Sequence, residues 1–339
     1  MRNALRELGF TDDLGHAIKE LANLNDQQHI GRVRRIDRGW STYLCATLGA
    51  RAEATQLDER KVRNIGADVA VGDWIVTSPD GERIMHVLPR KSRLVRRASS
   101  DEVKADSQTI AANIDVVFLV HGLDIATNHR RLERELVLAF DSGAQPVVVL
   151  TKSDSIDTDD VARAKSSVES VSLGVPVHVV SSKNGEGLVA LGEYVRGGAT
   201  AVVLGASGAG KSTLINALTG IATQQTGATR PGDNKGRHTT TAVDLVELPN
   251  HGWLIDTPGV RAVGLWTSGR GIERAFADVF ALADGCRFRD CKHETEPACA
   301  VRSAIAEGKL TNERLESMRR LVAEEEALEQ QQRRVQKRS

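Results

Sequence analysis

The sequence predicts a multidomain protein in which a small β-barrel precedes a parallel α/β domain and a helical region follows it. Short β-like segments begin after residue 28, and near-continuous Val and Leu runs alternate with helical stretches from Ile114. Beyond Gly269 the pattern is helical and contains three of the four cysteines. We therefore divide the 339 residues into an N-terminal extension (1–27), a barrel (28–98), an α/β domain (99–270) and a helical region with a charged tail (271–339).

The barrel region has short strands and an excess of positive charge. Its β-like segments are "HIGRVRRID", "STYLCATL", "DWIVTS" and "RIMHVL". They best fit an OB-type barrel, a fold that often binds oligonucleotides, and another small barrel would show the same pattern. Residues 28–98 carry 14 Lys and Arg against 8 Asp and Glu, although the whole chain is neutral. This excess favours a phosphate-rich partner, and a solvated basic face is the alternative.

A phosphate-binding loop is predicted where the segment "TAVVLG" runs into a helix. Gly205-x-x-x-x-Gly210-Lys211-Ser212 places backbone N–H groups and a helix N-terminus around phosphates. In such loops the lysine contacts the β and γ oxygens, and the serine ligates magnesium. The predicted phosphate-loop residues are Gly205, Ala206, Ser207, Gly208, Ala209, Gly210, Lys211, Ser212 and Thr213.

Two later segments complete a magnesium and γ-phosphate site. Asp256 ends the strand "GWLID" and begins "DTPG", where the carboxylate can hold magnesium and the Gly259 N–H can contact the γ-phosphate. Taken alone, such a turn is common. The Gly- and Thr-rich segment "TGATRPGDNKGRHTTT" lies between the two motifs as a switch, and Thr240 is our choice for a further magnesium ligand.

The segment "VVLTKSD" predicts recognition of guanine. Asp154 can accept hydrogen bonds from guanine N1–H and the exocyclic amine, which adenine does not match, and the stem of Lys152 can cover the base. "SSKNGEG" follows the next strand as a second base loop. Both loops precede the phosphate loop, the reverse of the usual order, so a circular permutation is predicted. The predicted base-loop residues are Thr151, Lys152, Ser153, Asp154, Ser181, Ser182 and Lys183.

The cysteine cluster predicts one structural zinc ion. Cys286, Cys291, His293 and Cys299 supply four ligands within fourteen residues, so no coordination position stays open. A reduced cluster without metal is the alternative. Cys45, alone in a predicted strand, is expected to be a small core residue. The N-terminus lacks a secretory signal pattern and no apolar run reaches about 18 residues, so we expect a cytoplasmic protein without membrane association. We also expect a monomer.

These motifs together resemble the RsgA family of circularly permuted GTPases, known as small ribosomal subunit biogenesis GTPases. The resemblance covers about residues 30–310 and rests on "LTKSD", "GASGAGKST", "GRHTTT" and "DTPGVR..GLW". It implies an OB-fold, a GTPase domain and a zinc-binding helical domain. It also implies action late in maturation of the small subunit, with its rRNA as partner and GTP or GDP controlling binding and release. One departure is Thr151, where Asn is commoner; Asn ties neighbouring loops together, so weaker nucleotide affinity is an expectation.

The residue that orients the attacking water is not fixed by these motifs. Val260 stands where Ras-like enzymes have Gln, and its apolar side chain cannot orient water. His238 is our candidate, because the resembling family carries His here, although a lone loop His is often simply solvated. The predicted catalytic residues are thus His238, Lys211 and Gly259. Two other functions stay open: an RNA-binding factor that holds GTP without turnover, and a P-loop ATPase or small-molecule kinase.

Overall fold

The computed structural model describes residues 2–21, 24, 27–47, 57–64, 68–97, 107–220, 243–249, 252–257 and 270–336. His238, Thr240, Gly259 and Val260 lie outside these ranges. Two short helices come first, α1 (Arg2–Glu7) and α2 (Asp12–Lys19). Helix α2 begins at Asp12, because Thr11 caps its N-terminus by accepting a hydrogen bond from the Leu14 N–H.

The barrel region consists of antiparallel strands around a small core. Strand β1 pairs with β2 along its whole length and with β4 over its first four residues. The four strands predicted here are confirmed, and β3 and β6 are added. Sequence patterning misses β3 because it is the charged segment "DERKVR". The strands are β1 (His29–Asp37), β2 (Trp40–Thr47), β3 (Asp58–Arg63), β4 (Trp74–Thr77), β5 (Ile84–Val87) and β6 (Arg93–Arg97).

The next strand, β7 (Ser107–Ala112), pairs with β6, so the predicted boundary between residues 98 and 99 falls between two partnered strands. Two charges of the basic segment from Arg90 to Arg97 are paired with carboxylates of the protein, one in a buried contact and one at the surface. Arg90 holds the fully buried Asp73 at 2.7 Å, and Lys91 pairs with Asp115 at 2.5 Å.

A mostly parallel sheet follows, in the strand order β10-β9-β8-β11-β13-β12. All but β12 run parallel, and the Val and Leu runs of β8, β9 and β11 are buried on both faces, as predicted. Its elements are β8 (Val116–Gly122), α3 (His129–Ser142), β9 (Gln145–Thr151), a 3-10 turn (Ser153–Ser155), α4 (Thr158–Ser172), β10 (Val177–Val179), α5 (Leu188–Glu193), β11 (Thr200–Gly205), α6 (Lys211–Thr219), β12 (Asp244–Glu247) and β13 (Trp253–Asp256).

The barrel and the parallel sheet are joined. Strand β12 pairs with β1 through Asp244 and Arg35, which makes one continuous sheet. The buried Arg32 donates hydrogen bonds to the carbonyl oxygens of Leu8, Gly72 and Asn113 at 2.8, 3.2 and 3.0 Å. Burial lowers the pKa of Arg32 to about 10, so it stays charged at neutral pH. One guanidinium thus connects the N-terminal helices, the barrel and the α/β domain.

Four helices close the described chain: α7 (Arg270–Ala275), α8 (Ala277–Ala283), α9 (Ala300–Ala306) and α10 (Asn312–Gln336). Helices α7 and α10 pack against α3, and α8 packs against α7 and α9. Helix α7 lies so close to α3 that a Cβ on Gly271 would stand 2.5 Å from the Val137 carbonyl oxygen. The buried Arg314 of α10 contacts Glu133 of α3 at 2.7 Å and Asp278 of α8 at 3.1 Å. None of the described helices is both long and apolar enough to cross a bilayer.

Candidate nucleotide site and metal centre

The phosphate loop connects β11 to α6 and needs glycine at both ends. Gly205 and Gly210 have φ angles of 150° and 89°. A Cβ on Gly205 would lie 2.3 Å from the Val120 carbonyl oxygen, and one on Gly210 would lie 3.1 Å from the Thr151 hydroxyl oxygen. The loop is therefore seated directly against β8 and the end of β9, and a side chain at Gly205 would lift it away.

Lys211 begins α6 and reaches back across the loop. Its Nζ donates to the carbonyl oxygens of Gly205 at 3.0 Å and Ala206 at 2.6 Å, so the ammonium lies over the loop. Ser207, Gly208, Ser212 and Thr213 are exposed on the same loop and helix start. A cation, a helix N-terminus and accessible hydroxyls at one point are the donor set that a nucleotide phosphate requires.

The two predicted base loops lie side by side. Ser181 donates its hydroxyl hydrogen to Asp154 Oδ1 at 2.7 Å, and Lys183 Nζ is 3.9 Å from Asp154 Oδ2. The hydrogen bond from Ser181, more than the charge of Lys183, holds the pKa of Asp154 below its usual value. The carboxylate is therefore ionised at neutral pH and can accept two N–H bonds. The hydroxyl oxygens of Ser153 and Ser182 are buried without a hydrogen-bond partner among the described residues.

Thr151 connects the base loops to the phosphate loop. Its hydroxyl donates to the Ala209 carbonyl oxygen at 2.6 Å, and the His121 carbonyl oxygen is a second acceptor at 3.3 Å. Thr151 thus makes a hydrogen bond between neighbouring loops, the kind of link that was expected to weaken with Thr in place of Asn. Lys152 follows with a positive φ of 62°, and its Cε lies 3.9 Å from the position of a Cβ on Gly210. Two loops far apart in the chain therefore form one concave edge of the sheet.

Asp124 is a neighbour of this edge that sequence analysis missed. Its Oδ2 atom accepts a hydrogen bond from Lys152 Nζ at 2.6 Å. A sequence signal exists, because Asp124 comes two residues after the end of the buried strand β8, which lies between β9 and β11. This hydrogen bond fixes the direction of the Lys152 side chain, whose aliphatic stem is predicted to cover the base.

The magnesium side of the site is described in part. Asp256 ends β13, and β13 is the parallel neighbour of β11, so the carboxyl ends of the two strands that precede Asp256 and the phosphate loop adjoin. Across the β12–β13 pair, Asp256 faces Asp244. Thr240, Gly259 and His238, the other predicted residues of this side, lie outside the described ranges.

The four predicted metal ligands converge between α8 and α9. The His293 Nδ1 atom lies 3.6 Å from Cys286 Sγ and 3.4 Å from Cys299 Sγ, and the two sulfurs are 3.9 Å apart. With the Cys291 sulfur, all four donor atoms lie within 4.8 Å of one another. Tetrahedral zinc, with bonds of about 2.3 Å to sulfur and about 2.0 Å to nitrogen, separates its ligand atoms by roughly 3.5–3.8 Å. The observed spacing fits that geometry.

Glu296 organises the loop that carries these ligands, a role the sequence did not reveal. Its carboxylate accepts backbone N–H bonds from Lys292, Glu294 and Thr295 at 2.9, 2.8 and 3.1 Å. These bonds lower the pKa of Glu296 to about 2, so the carboxylate stays ionised across the physiological range. They also stabilise the turn around His293, which has a positive φ of 60°.

Comparisons with known proteins agree with this architecture. The family model of the RsgA GTPase matches residues 87–266. The small ribosomal subunit biogenesis GTPase RsgA of Streptomyces coelicolor is 45% identical over 301 residues, covering 88% of this chain and 81% of that protein. YjeQ from Thermotoga maritima superposes with a TM-score of 0.64 at 26% identity, covering 88% of this chain and 98% of YjeQ. YloQ, described as a circularly permuted GTPase, gives 0.63 at 22% identity, covering 88% and 95%. The predicted permuted order of the α/β domain is confirmed.

Proposed function

Since the chain belongs to the RsgA GTPase family, we propose that this GTP-hydrolysing enzyme is an assembly factor of the small ribosomal subunit, acting late in its maturation. The observation that carries the nucleotide part is the Thr151 to Ala209 hydrogen bond, because it joins a guanine-reading loop to a phosphate loop. The partner part is supported by the relatives' names and by the basic barrel region.

Each described loop has its own task in this proposal. Asp154 accepts the guanine N1–H and amine hydrogens, and the ionised state imposed by Ser181 keeps it an acceptor. Lys211 neutralises charge on the β and γ phosphates. Ser212 and Asp256, with Thr240, would hold Mg²⁺, which supplies charge stabilisation to the phosphates when bound. Gly259 would contact the γ-phosphate, and His238 would orient the attacking water.

The flanking regions would provide the grip on RNA. We assign the barrel to the OB type, and its exposed face includes Trp40, with the Arg63 guanidinium 5.1 Å from the ring centre. Aromatic rings and guanidinium groups of this kind stack on bases. Zinc held by Cys286, Cys291, His293 and Cys299 would have a structural role, because four protein ligands close the coordination shell.

GTP state would control binding and release of the subunit. The chain leaves the "DTPG" segment and enters α7, which is fixed to α3 by the hydrogen bond from the Gly271 N–H to Asp141 at 2.7 Å. A change at the γ-phosphate is thus connected along the chain to the C-terminal helices. We also propose a cytoplasmic location and a monomeric state.

The test is phosphate release from GTP, measured with isolated small subunits, with large subunits and alone, beside co-sedimentation with a GTP analogue and with GDP. We expect slow turnover alone, strong stimulation by small subunits only, weaker sedimentation with GDP, and binding that falls steeply with salt. Equal turnover in all three conditions, with equal sedimentation in both nucleotides, would reject the assembly function.

The same measurements separate the other two functions. An RNA-binding factor that only holds GTP would show no multiple-turnover phosphate release. In an ATPase or a small-molecule kinase, ATP would displace bound GTP as effectively as GDP does.

A further inference from the structure

Asp244 lies between the barrel and the candidate magnesium carboxylate. On one side, β12 pairs with β1 through Asp244 and Arg35. On the other side, Asp244 is the cross-strand neighbour of Asp256 on β13. The path from a barrel strand to Asp256 therefore contains a single intervening residue.

The Arg34 side chain reinforces this path from within the barrel. Its Nε atom lies 3.3 Å from Asp244 Oδ1, and its Nη1 atom donates to Glu59 Oε2 on β3 at 2.6 Å. Strand β3 is the last strand of the continuous sheet, so one guanidinium spans from that edge to β12. Asp244 and Asp256 face each other with like charge, which destabilises a strand pair, and the Arg34 charge offsets this repulsion.

The β12–β13 pair is also fixed at its opposite end, where Glu247 pairs with Trp253. The indole Nε1–H of Trp253 on β13 donates to the Glu7 carbonyl oxygen at 2.7 Å. The adjacent Leu8 carbonyl accepts from Arg32, which lies two residues before Arg34 on β1. Both strands of the pair are thus connected to β1. A shift of β1 relative to the parallel sheet would therefore displace both strands.

We propose that Arg34 and Asp244 are positioning residues that transmit occupancy of the barrel to Asp256. The inference rests on the proposed function, because it requires a partner that binds the barrel. A polyanion near β3 competes with Glu59 and Asp244 for the Arg34 guanidinium, and this alters the repulsion between Asp244 and Asp256. By linkage, barrel occupancy then changes Mg²⁺-dependent nucleotide affinity, and Mg²⁺ and nucleotide change subunit affinity by the same factor.

The experiment compares the parent with Arg34→Met, Asp244→Asn and the double variant. The control is Arg60→Met, which removes a charge from β3 where Arg60 contacts Asp58 of its own strand at 3.7 Å. Two quantities are measured with and without saturating isolated small subunits. One is the Mg²⁺ concentration that gives half-maximal affinity for fluorescent GDP. The other is hydrogen exchange of the β12 and β13 backbone in nucleotide-free protein, a readout that needs no hydrolysis.

In the parent and in Arg60→Met, subunits should shift the Mg²⁺ midpoint by about fivefold or more and change exchange in β12 and β13, since coupling factors of this size are typical. Arg34→Met and Asp244→Asn should each reduce the shift to less than twofold, and the double variant should be no worse than either one. If Arg34→Met or Asp244→Asn keeps the full shift of the Mg²⁺ midpoint, or if Arg60→Met loses the shift to the same extent, this inference is wrong. The proposed function is then unaffected. A parent that neither binds nor responds to subunits overturns the proposed function as well.

Discussion

The hydroxyl of Thr151 donates a hydrogen bond to the Ala209 carbonyl oxygen at 2.6 Å, across 58 positions of sequence. The bond joins the predicted base-binding loop to the predicted phosphate loop. Circular permutation changes the chain order of these loops and leaves their adjacency at the carboxyl ends of β9 and β11 unchanged.

Replacing Thr151 by Val should weaken nucleotide binding. Val has nearly the same shape but no donor, so the buried Ala209 carbonyl loses its partner, at a cost of about 1–3 kcal/mol. We expect GDP affinity to fall roughly 5- to 100-fold in a titration with fluorescent GDP. Thr151→Ser, which keeps the hydroxyl, should stay near the parent, and a Val variant with parental affinity would mean that the link has no energetic role.

Binding and chemistry should separate between Lys211 and His238. Lys211→Ala removes the charge above the phosphate loop and should weaken GTP binding. His238→Ala should leave the GDP affinity near that of the parent and lower the turnover on the order of 10²-fold, because the His238 side chain would act only on the attacking water. The measurement is single-turnover hydrolysis beside equilibrium titration. Parental turnover in His238→Ala would remove this residue from the mechanism.

Metal analysis should find about one zinc per chain, bound by the cysteine cluster. Cys291→Ser should lose the metal and expose residues after Gly271 to protease while the parallel sheet persists, because metal binding and local folding are linked. Cys45→Ser is the matched control, since Cys45 is buried in the barrel core beside Tyr43 and should leave the zinc content unchanged. A metal-free parent that resists protease equally would contradict the structural role.

Arg314 should anchor the C-terminal helices to the α/β domain. Its side chain and that of Glu133 are 5% and 4% exposed, so Arg314→Met leaves a buried carboxylate without its charged partner. The expected loss is about 3–5 kcal/mol of unfolding free energy in urea titrations. Arg333→Met, which breaks an exposed pair with Glu329, should cost less than about 1 kcal/mol. Similar losses in both variants would show that burial of the Arg314 pair adds nothing.

The strands and loops with strong local patterns could be predicted from the sequence. β1 and β11 occupy the predicted segments, because buried Val and Ile runs and glycine turns are local signals. The convergence of the three cysteines and His293 was also predictable from the sequence, since metal chemistry fixes residue types at short spacing.

Contacts between distant segments could not be predicted. Arg32 is one of the basic residues that give residues 28–98 their positive excess, yet it is buried. Only the fold shows that it reaches Leu8, Gly72 and Asn113. Residues 1–27 carried no recognisable motif, because α1 and α2 act through packing and backbone carbonyls, which no residue pattern encodes. β3 was missed for a related reason: a charged strand is stabilised by its neighbour β2 and not by its own hydrophobic pattern.

We expect a guanine nucleotide to bind where the base loops meet the phosphate loop, and the substitution Asp154→Asn tests this directly. The change replaces a carboxylate acceptor with an amide, whose N–H group matches the carbonyl oxygen that xanthine has in place of the guanine amine. The measurement is parallel titration of the parent and the variant with GDP and XDP. We expect the parent to prefer GDP and the variant to prefer XDP. A variant that still prefers GDP would contradict it, because the loop ending at Asp154 would then not read the base.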